Sequence, residues 1–372
     1  MNDDHLMYRF SKTELFIFTY SSTITLGLIF LPYVSHLEVR SAWLKVIVAG
    51  LPMIGVFFLI QTVINKHKNA DILDLFNHYT WKIIYYPVLG YIFFNAVMAC
   101  CWGIKALAFI VRSFLLHNTS EFVLCLFFLL VVLVGLLYGI VPITRFLVLF
   151  FVFEIIIILA VVSLFFTEDF RLIYVRPVMS TDILTFLDSS LTDLTRFTGV
   201  IPLIGFITYI KQPEKMFKTV SSAIGLVMFT YSTISLLVLG VFGFEQALVL
   251  LSPLTSLIQA SAAWEGVFQR IDMVFIAIWT LSFYKIALIH FWFVHYLLVK
   301  LIPVARKTEI VNKIAIVSGL LALSFIVPGY IEFDSSLYFM NLNFYAVVTP
   351  SLICIYLLVR RPVTRQGELF DG

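Results

Sequence analysis

Tyr20-Ser21-Ser22-Thr23-Ile24-Thr25-Leu26-Gly27, followed within five residues by Leu31-Pro32, is the stretch on which the fold turns. It lies inside an apolar run that otherwise reads as an ordinary membrane helix. Gly and Pro weaken helical continuity, and Ser and Thr can satisfy the backbone groups that an interruption frees. Non-helical backbone at membrane depth is tolerated only where it is buried in protein or lines a cavity. The stretch therefore predicts a first span that is interrupted, with the interruption facing the protein interior.

A counterpart lies further along the chain. Thr195-Arg196-Phe197-Thr198-Gly199, then Pro202 and Gly205, interrupt a later apolar run in the same way. About 20 apolar residues cross a bilayer core. On that ruler ten spans are expected, near 13–35, 43–64, 83–114, 121–141 and 143–166, then 191–210, 218–243, 270–301, 311–330 and 339–360. The two interruptions fall in the first helix of each five-helix half, 13–166 and 191–360. Matching interruptions in two halves are the pattern of an inverted-repeat transporter fold, with a ligand site between discontinuous helices near midplane. Amides exposed there could hold a carboxylate, and carbonyls an ammonium group. The same residues are also common where membrane helices simply pack closely.

Composition agrees with an all-α integral membrane protein of one domain, residues 1–372. Of the 372 residues, 61% are hydrophobic and 13% charged, about half the charge of a soluble domain; the mean hydropathy is +1.01. The polar start, Met1 to Lys12, precedes an apolar run long enough to span, so it reads as a retained helix rather than a cleaved signal peptide. A net charge of +3 with dispersed Arg and Lys excludes a nucleic-acid surface. Cys100, Cys101, Cys125 and Cys354 all lie in apolar stretches without zinc spacing, and read as small apolar filler. With the N-terminus inside, sixteen Lys and Arg fall in cytoplasmic segments and seven in outer ones, while Lys105 and Lys285 lie within spans. The positive-inside rule then puts both termini in the cytoplasm.

Ionisable residues within spans are expensive and mark candidate sites. Lys105, Glu154, Asp272, Lys285, His290 and His295 are of this kind. Lys285, thirteen residues and so about 20 Å past Asp272, should be deep. It is read either as a replacement for a bound cation or a contact to ligand, or as a structural residue that pairs with Glu154 or backbone carbonyls or snorkels. Lys105 is read as snorkelling or pairing outward. No Walker loop, dinucleotide fingerprint, zinc motif or nucleophile–base spacing is present. No enzyme activity and no cofactor are therefore expected.

At this point the chain resembles the B subunits of bacterial spore germinant receptors, spore-permease-like members of the amino acid–polyamine–organocation superfamily. The residues that carry the resemblance run from Phe10-Ser11-Lys12 through Thr25-Leu26-Gly27 and Leu31-Pro32. They continue through Arg176-Pro177-Val178, the Gly205-centred sixth span and Pro213-Glu214. The most specific are Pro253-Leu254-Thr255-Ser256-Leu257, Glu265-Gly266-Val267-Phe268-Gln269-Arg270-Ile271-Asp272 and Trp279. The resemblance implies a nutrient sensor in the inner membrane of the spore, acting with a larger A subunit and a C-subunit lipoprotein. It departs from the family at Thr25, where glycine is frequent, and at Lys285, where related chains can carry a small polar residue. The expected pocket is formed by Thr25, Leu26 and Gly27 with Ile204, Gly205 and Phe206, its wall completed by Gly103 and Lys285. The alternative is a secondary amino acid transporter with the same fold and pocket.

Overall fold

The computed structural model describes residues 9–28, 40–68, 71–178, 181–250, 252–260, 271–302, 308–327 and 341–361. All its regular elements are helical. In chain order they are α1 (Lys12–Leu28), α2 (Ala42–His67), α3 (Ile72–Tyr79), α4 (Lys82–Phe114), α5 (Glu121–Leu137) and α6 (Ile140–Val162), which tightens into a 3-10 turn over Ser163–Phe166. Next come α7 (Ile183–Asp193), a 3-10 segment (Leu194–Val200), α8 (Leu203–Phe206) and a second 3-10 turn (Ile207–Tyr209). The chain continues through α9 (Met216–Val249), α10 (Pro253–Ala260), α11 (Ile271–Leu301) and α12 (Glu309–Ile326). It closes with α13 (Asn341–Val359), which carries a π-helical stretch over Phe344–Val348.

Among the described residues, 7 helices are long and apolar enough to cross a membrane. They are α2, α4, α6 with its 3-10 extension, α9, α11, α12 and α13. Three of the ten spans read in the sequence are not among them. Residues 29–35 of the first expected span lie outside the described residues, and α5 has 17 residues, about 26 Å at 1.5 Å per residue, just short of a 30 Å hydrocarbon core. The sixth apolar run is cut into short pieces, none of which reaches spanning length alone.

The interruption expected over Ser21–Gly27 is not there: α1 is helical from Lys12 to Leu28. Its hydroxyls turn inward on the helix instead of breaking it. Thr19 donates to the Leu15 carbonyl at 2.8 Å, while Ser22 and Thr23 donate to that of Thr19 at 3.0 and 2.8 Å. Such back-bonding satisfies the side chain locally and leaves the helix intact. Leu31-Pro32 lies outside the described residues.

The interruption in the sixth run is real. Ile201, Ile204 and Gly205 donate their amides to carbonyls three residues back, each at 3.0 Å, the pattern of 3-10 rather than α geometry. Thr192, Thr195 and Thr198 repeat it with their hydroxyls, at 2.6, 2.9 and 2.7 Å. Pro202 has no amide to donate, which ends the first tight segment.

Two short helices were not anticipated. Asp71 caps α3, accepting the Asp74 amide at 3.0 Å, and α3 lies against α11 through Tyr296 and Lys300. α10 buries Leu254 and Leu257 between α9 and α11. α9 packs along both α1 and α2, and α11 along α4. Buried aromatic and aliphatic side chains thus surround α1 on nearly every side.

Candidate functional site

α1 and the sixth segment run antiparallel and touch at two levels. At the first, Gly199 lies directly on the backbone of α1. A Cβ at this position would come 2.1 Å from the Ser22 carbonyl oxygen and 3.1 Å from the Thr23 Cα. Only hydrogen fits there. Tyr231 of α9 arrives from the side and puts its hydroxyl 2.8 Å from the Thr23 and Ile24 carbonyls alike, with its ring edge-on to Phe197. Backbone of α1, backbone of the 3-10 segment and a buried phenol therefore meet at one point.

At the second level, toward the N-terminus of α1, aromatic rings fill the space. Phe206 lies 4.5 Å from Phe18, 4.1 Å from Trp292 and 6.3 Å from Phe10, centroid to centroid. Gly205 faces Phe293 and Tyr296, whose ring carbons a Cβ would approach to 2.9 and 3.0 Å. Phe10 closes this end. It donates its amide to the Tyr209 carbonyl at 2.7 Å and accepts that of Lys211 at 3.2 Å.

A third cluster lies beside the middle of α1. Lys285 of α11 has no exposed surface; it forms an ion pair with Glu154 of α6 and donates to Ser21 Oγ at 3.1 Å. Ser282, one turn earlier on α11, donates to the other Glu154 oxygen at 2.7 Å. One buried pair with two hydroxyls thus joins α1, α6 and α11. A buried ion pair tolerates its desolvation only with such geometry and added hydrogen bonds. Of the readings open to Lys285, the pairing with Glu154 is the one present in this arrangement.

The expected pocket residues fall into separate places. Ile204, Gly205 and Phe206 sit together in the aromatic zone, with Ile204 beside a small apolar void lined also by Phe293 and Ile353. Thr25, Leu26 and Gly27 lie in the last two turns of α1, and their side chains are outside the described residues. They are seven to nine residues beyond Phe18, so about 10–14 Å further along the helix. The residue that meets the middle of α1 is Gly199, six positions before Gly205. Gly103 is buried in α4 beside a different void, lined by Cys100, His290 and Phe291. Three voids, beside Ile204, Glu154 and Gly103, have volumes of about 20, 30 and 20 Å³, enough for about one or two waters each. An amino acid fits none of them as they stand.

Other charges also find partners. Lys105 pairs outward with Glu121 at 2.7 Å. Lys45 and Arg196, counted from sequence among the outer charges, both meet Asp193, the buried Lys45 at 3.7 Å and the half-buried Arg196 at 2.9 Å. Asp193 drew no attention in the sequence, because 148 positions separate it from Lys45 and spacing carries no trace of that contact. Arg196 at i+3 from Asp193 was the one available signal. Ser282 and Tyr231 were also missed, being unremarkable polar residues in apolar helices. The cysteines are free and buried, and among the described residues no cluster of His, Cys, Asp and Glu could hold a metal.

A search of curated proteins returns no match. A family model described as spore germination protein, of the spore permease type, matches residues 9–330. That range takes in α1 through α12 and every residue of the three clusters described above. With seven helices able to cross a membrane and this match over most of its length, the chain is a multi-pass, permease-like membrane protein that belongs to the spore germination protein family.

Proposed function

We propose that this protein is the nutrient-sensing B subunit of a spore germinant receptor, which binds a small germinant of the amino acid class and passes the event to partner subunits. In this reading it spans the inner membrane of the spore ten times, α1, α5 and the Ile183–Tyr209 segment adding to the seven long helices, with both termini cytoplasmic. The two five-helix halves form an inverted repeat. It acts with an A subunit and a C-subunit lipoprotein, and it carries out no chemical reaction of its own.

The observation that carries this reading is the backbone-to-backbone contact of Gly199 with Ser22, inside a chain that the spore germination family matches. A 3-10 segment seated directly on a helix has no slack, so a ligand entering beside it must part the two. Only a ligand that binds the parted state more tightly shifts the balance toward it. Thr25–Gly27 on one side, and Ile204–Phe206 with Gly103 and Lys285 on the other, are the residues such a parting would expose to ligand.

Deleting the gene from the sporulating host and measuring dipicolinate release over single and mixed nutrients tests the proposal. Selective loss of response to one nutrient set is the expected result. Normal germination throughout, together with defective amino acid uptake in growing cells, would overturn it in favour of a secondary transporter. Uptake by the purified chain without partners would point the same way.

A further inference from the structure

Beside the Lys285–Glu154 pair lies a void of about 30 Å³, between the end of α1, α6 and the first half of α11. Its lining is mostly apolar, from residues such as Ile24, Ile158 and Phe275. Glu154, Ser282 and Trp279 bring the polar groups to it. Trp279, Ser282 and Lys285 are spaced i, i+3, i+6, so they lie in a row along one face of α11.

Trp279 is 4% exposed, and its indole nitrogen has no hydrogen-bond acceptor among the described residues. An indole N–H can only donate, and a buried donor left unpaired is costly. The Glu154 carboxylate has about four lone-pair sites. Ser282 and Lys285 engage one oxygen each, which leaves acceptor capacity.

The chemistry of these groups selects the occupant. A metal cation could bind the carboxylate but cannot accept the indole hydrogen, and Lys285 already neutralises Glu154. An apolar occupant would leave both groups unserved. Water is small enough for this volume and does both things: it accepts from Trp279 and donates to Glu154, with the Ser282 hydroxyl oxygen as a further acceptor. The volume exceeds the ~10–15 Å³ that one water needs, and the two to four polar partners that hold a buried water are present.

We propose that this void is a hydration site, in which one ordered water bridges the Trp279 indole to the Glu154 carboxylate. The water completes the solvation of the acidic member of the buried pair. It extends the polar junction of α1, α6 and α11 by one turn of α11. The assignment rests on the side chains alone and stands whatever the protein senses.

The test uses the full chain in lipid nanodiscs with 15N-labelled tryptophan. The Trp279 indole signal is identified by its loss in Trp279→Phe. In the unsubstituted protein its proton should show a magnetisation-transfer peak to a bound water. Ile158→Phe, which fills the void without touching the pair, should weaken that peak several-fold while the indole signal persists. Absence of a water peak in the unsubstituted protein overturns the proposal, as does a peak that Ile158→Phe leaves unchanged. Should Ile158→Phe not fold, the unsubstituted protein decides the matter through its own peak.

Discussion

Lys285 carries an ammonium group where no surface of the side chain is exposed, and the counter-charge that allows this comes from a helix 131 positions earlier in the chain, at Glu154. Removing one member of such a pair strands the other in a medium that cannot solvate it. Lys285→Met or Glu154→Leu alone should destabilise the protein by about 3–5 kcal/mol, whereas the double substitution should recover most of that loss. Denaturant unfolding in detergent measures all three, and simple additivity of the two losses would show the pair uncoupled. The two glycines of the sixth segment differ in kind. At Gly205 a methyl group meets the edges of Phe293 and Tyr296, which can turn aside. At Gly199 it meets backbone, which cannot. Gly205→Ala should therefore cost about 1–3 kcal/mol as ordinary overpacking, and Gly199→Ala more, read as the larger fall in thermal midpoint. Gly205→Leu should abolish germinant response while protein remains in the membrane. A normal response in that variant removes Gly205 from the site. Sequence reading singled out Lys285, Glu154 and both glycines from residue type alone. It did not find Lys45 with Asp193, since a contact between distant spans leaves no local pattern.

At the scale of elements, hydroxyl-rich stretches that look alike in sequence behave differently in α1 and in the sixth run. In α1 the hydroxyls reach carbonyls mostly four residues back, and the helix absorbs them. In the sixth run they reach three residues back, in step with Pro202 and a 3-10 backbone. In the sixth run the tight segment sits with Gly199 directly on the Ser22 backbone, a contact invisible along either stretch. α3 illustrates a second limit. Its eight residues follow a charged knot and read as loop, yet Tyr296 donates to Asp71 at 2.9 Å and Lys300 reaches Asp71 at 2.7 Å as well as Asp74. Charge-assisted bonds of this kind contribute about 1.5–3 kcal/mol each. Lys300→Ala should accordingly raise amide exchange over Ile72–Tyr79 by about tenfold or more, with α4 unaffected. Unchanged exchange there would mean that apolar packing of Leu73 and Phe76 alone holds α3.

For the whole molecule, the decisive property is closure. Rings fill one end of the interface between α1 and the sixth segment, backbone contact fills its middle, and the three voids described above are each large enough for about one or two waters. In the proposed function, ligand binding at this interface is therefore coupled to movement. A germinant that acts through this interface should increase amide exchange in residues 19–28 and 194–209, with little change in α12. Protection at α12 with none of this change would place the sensing surface elsewhere. Orientation is open to a separate check. Because the native cysteines are buried, Lys12→Cys and His117→Cys each supply one exposed thiol. An impermeant maleimide added outside intact cells or protoplasts should label His117→Cys and spare Lys12→Cys until the membrane is opened. The reverse pattern would invert the proposed topology.

Hydropathy and loop charge act locally and additively along the chain, so the sequence alone sufficed for a helical membrane protein, for the approximate position of each apolar run and for the membership that residues 9–330 confirm. Packing is not additive along the chain. Whether a hydroxyl-rich stretch breaks or stays helical, which glycine touches which backbone, and where Lys285 finds its carboxylate all depend on groups brought together from distant spans. Those were settled in three dimensions, where a gap too small for a methyl group and a buried charge in need of a partner leave one arrangement standing.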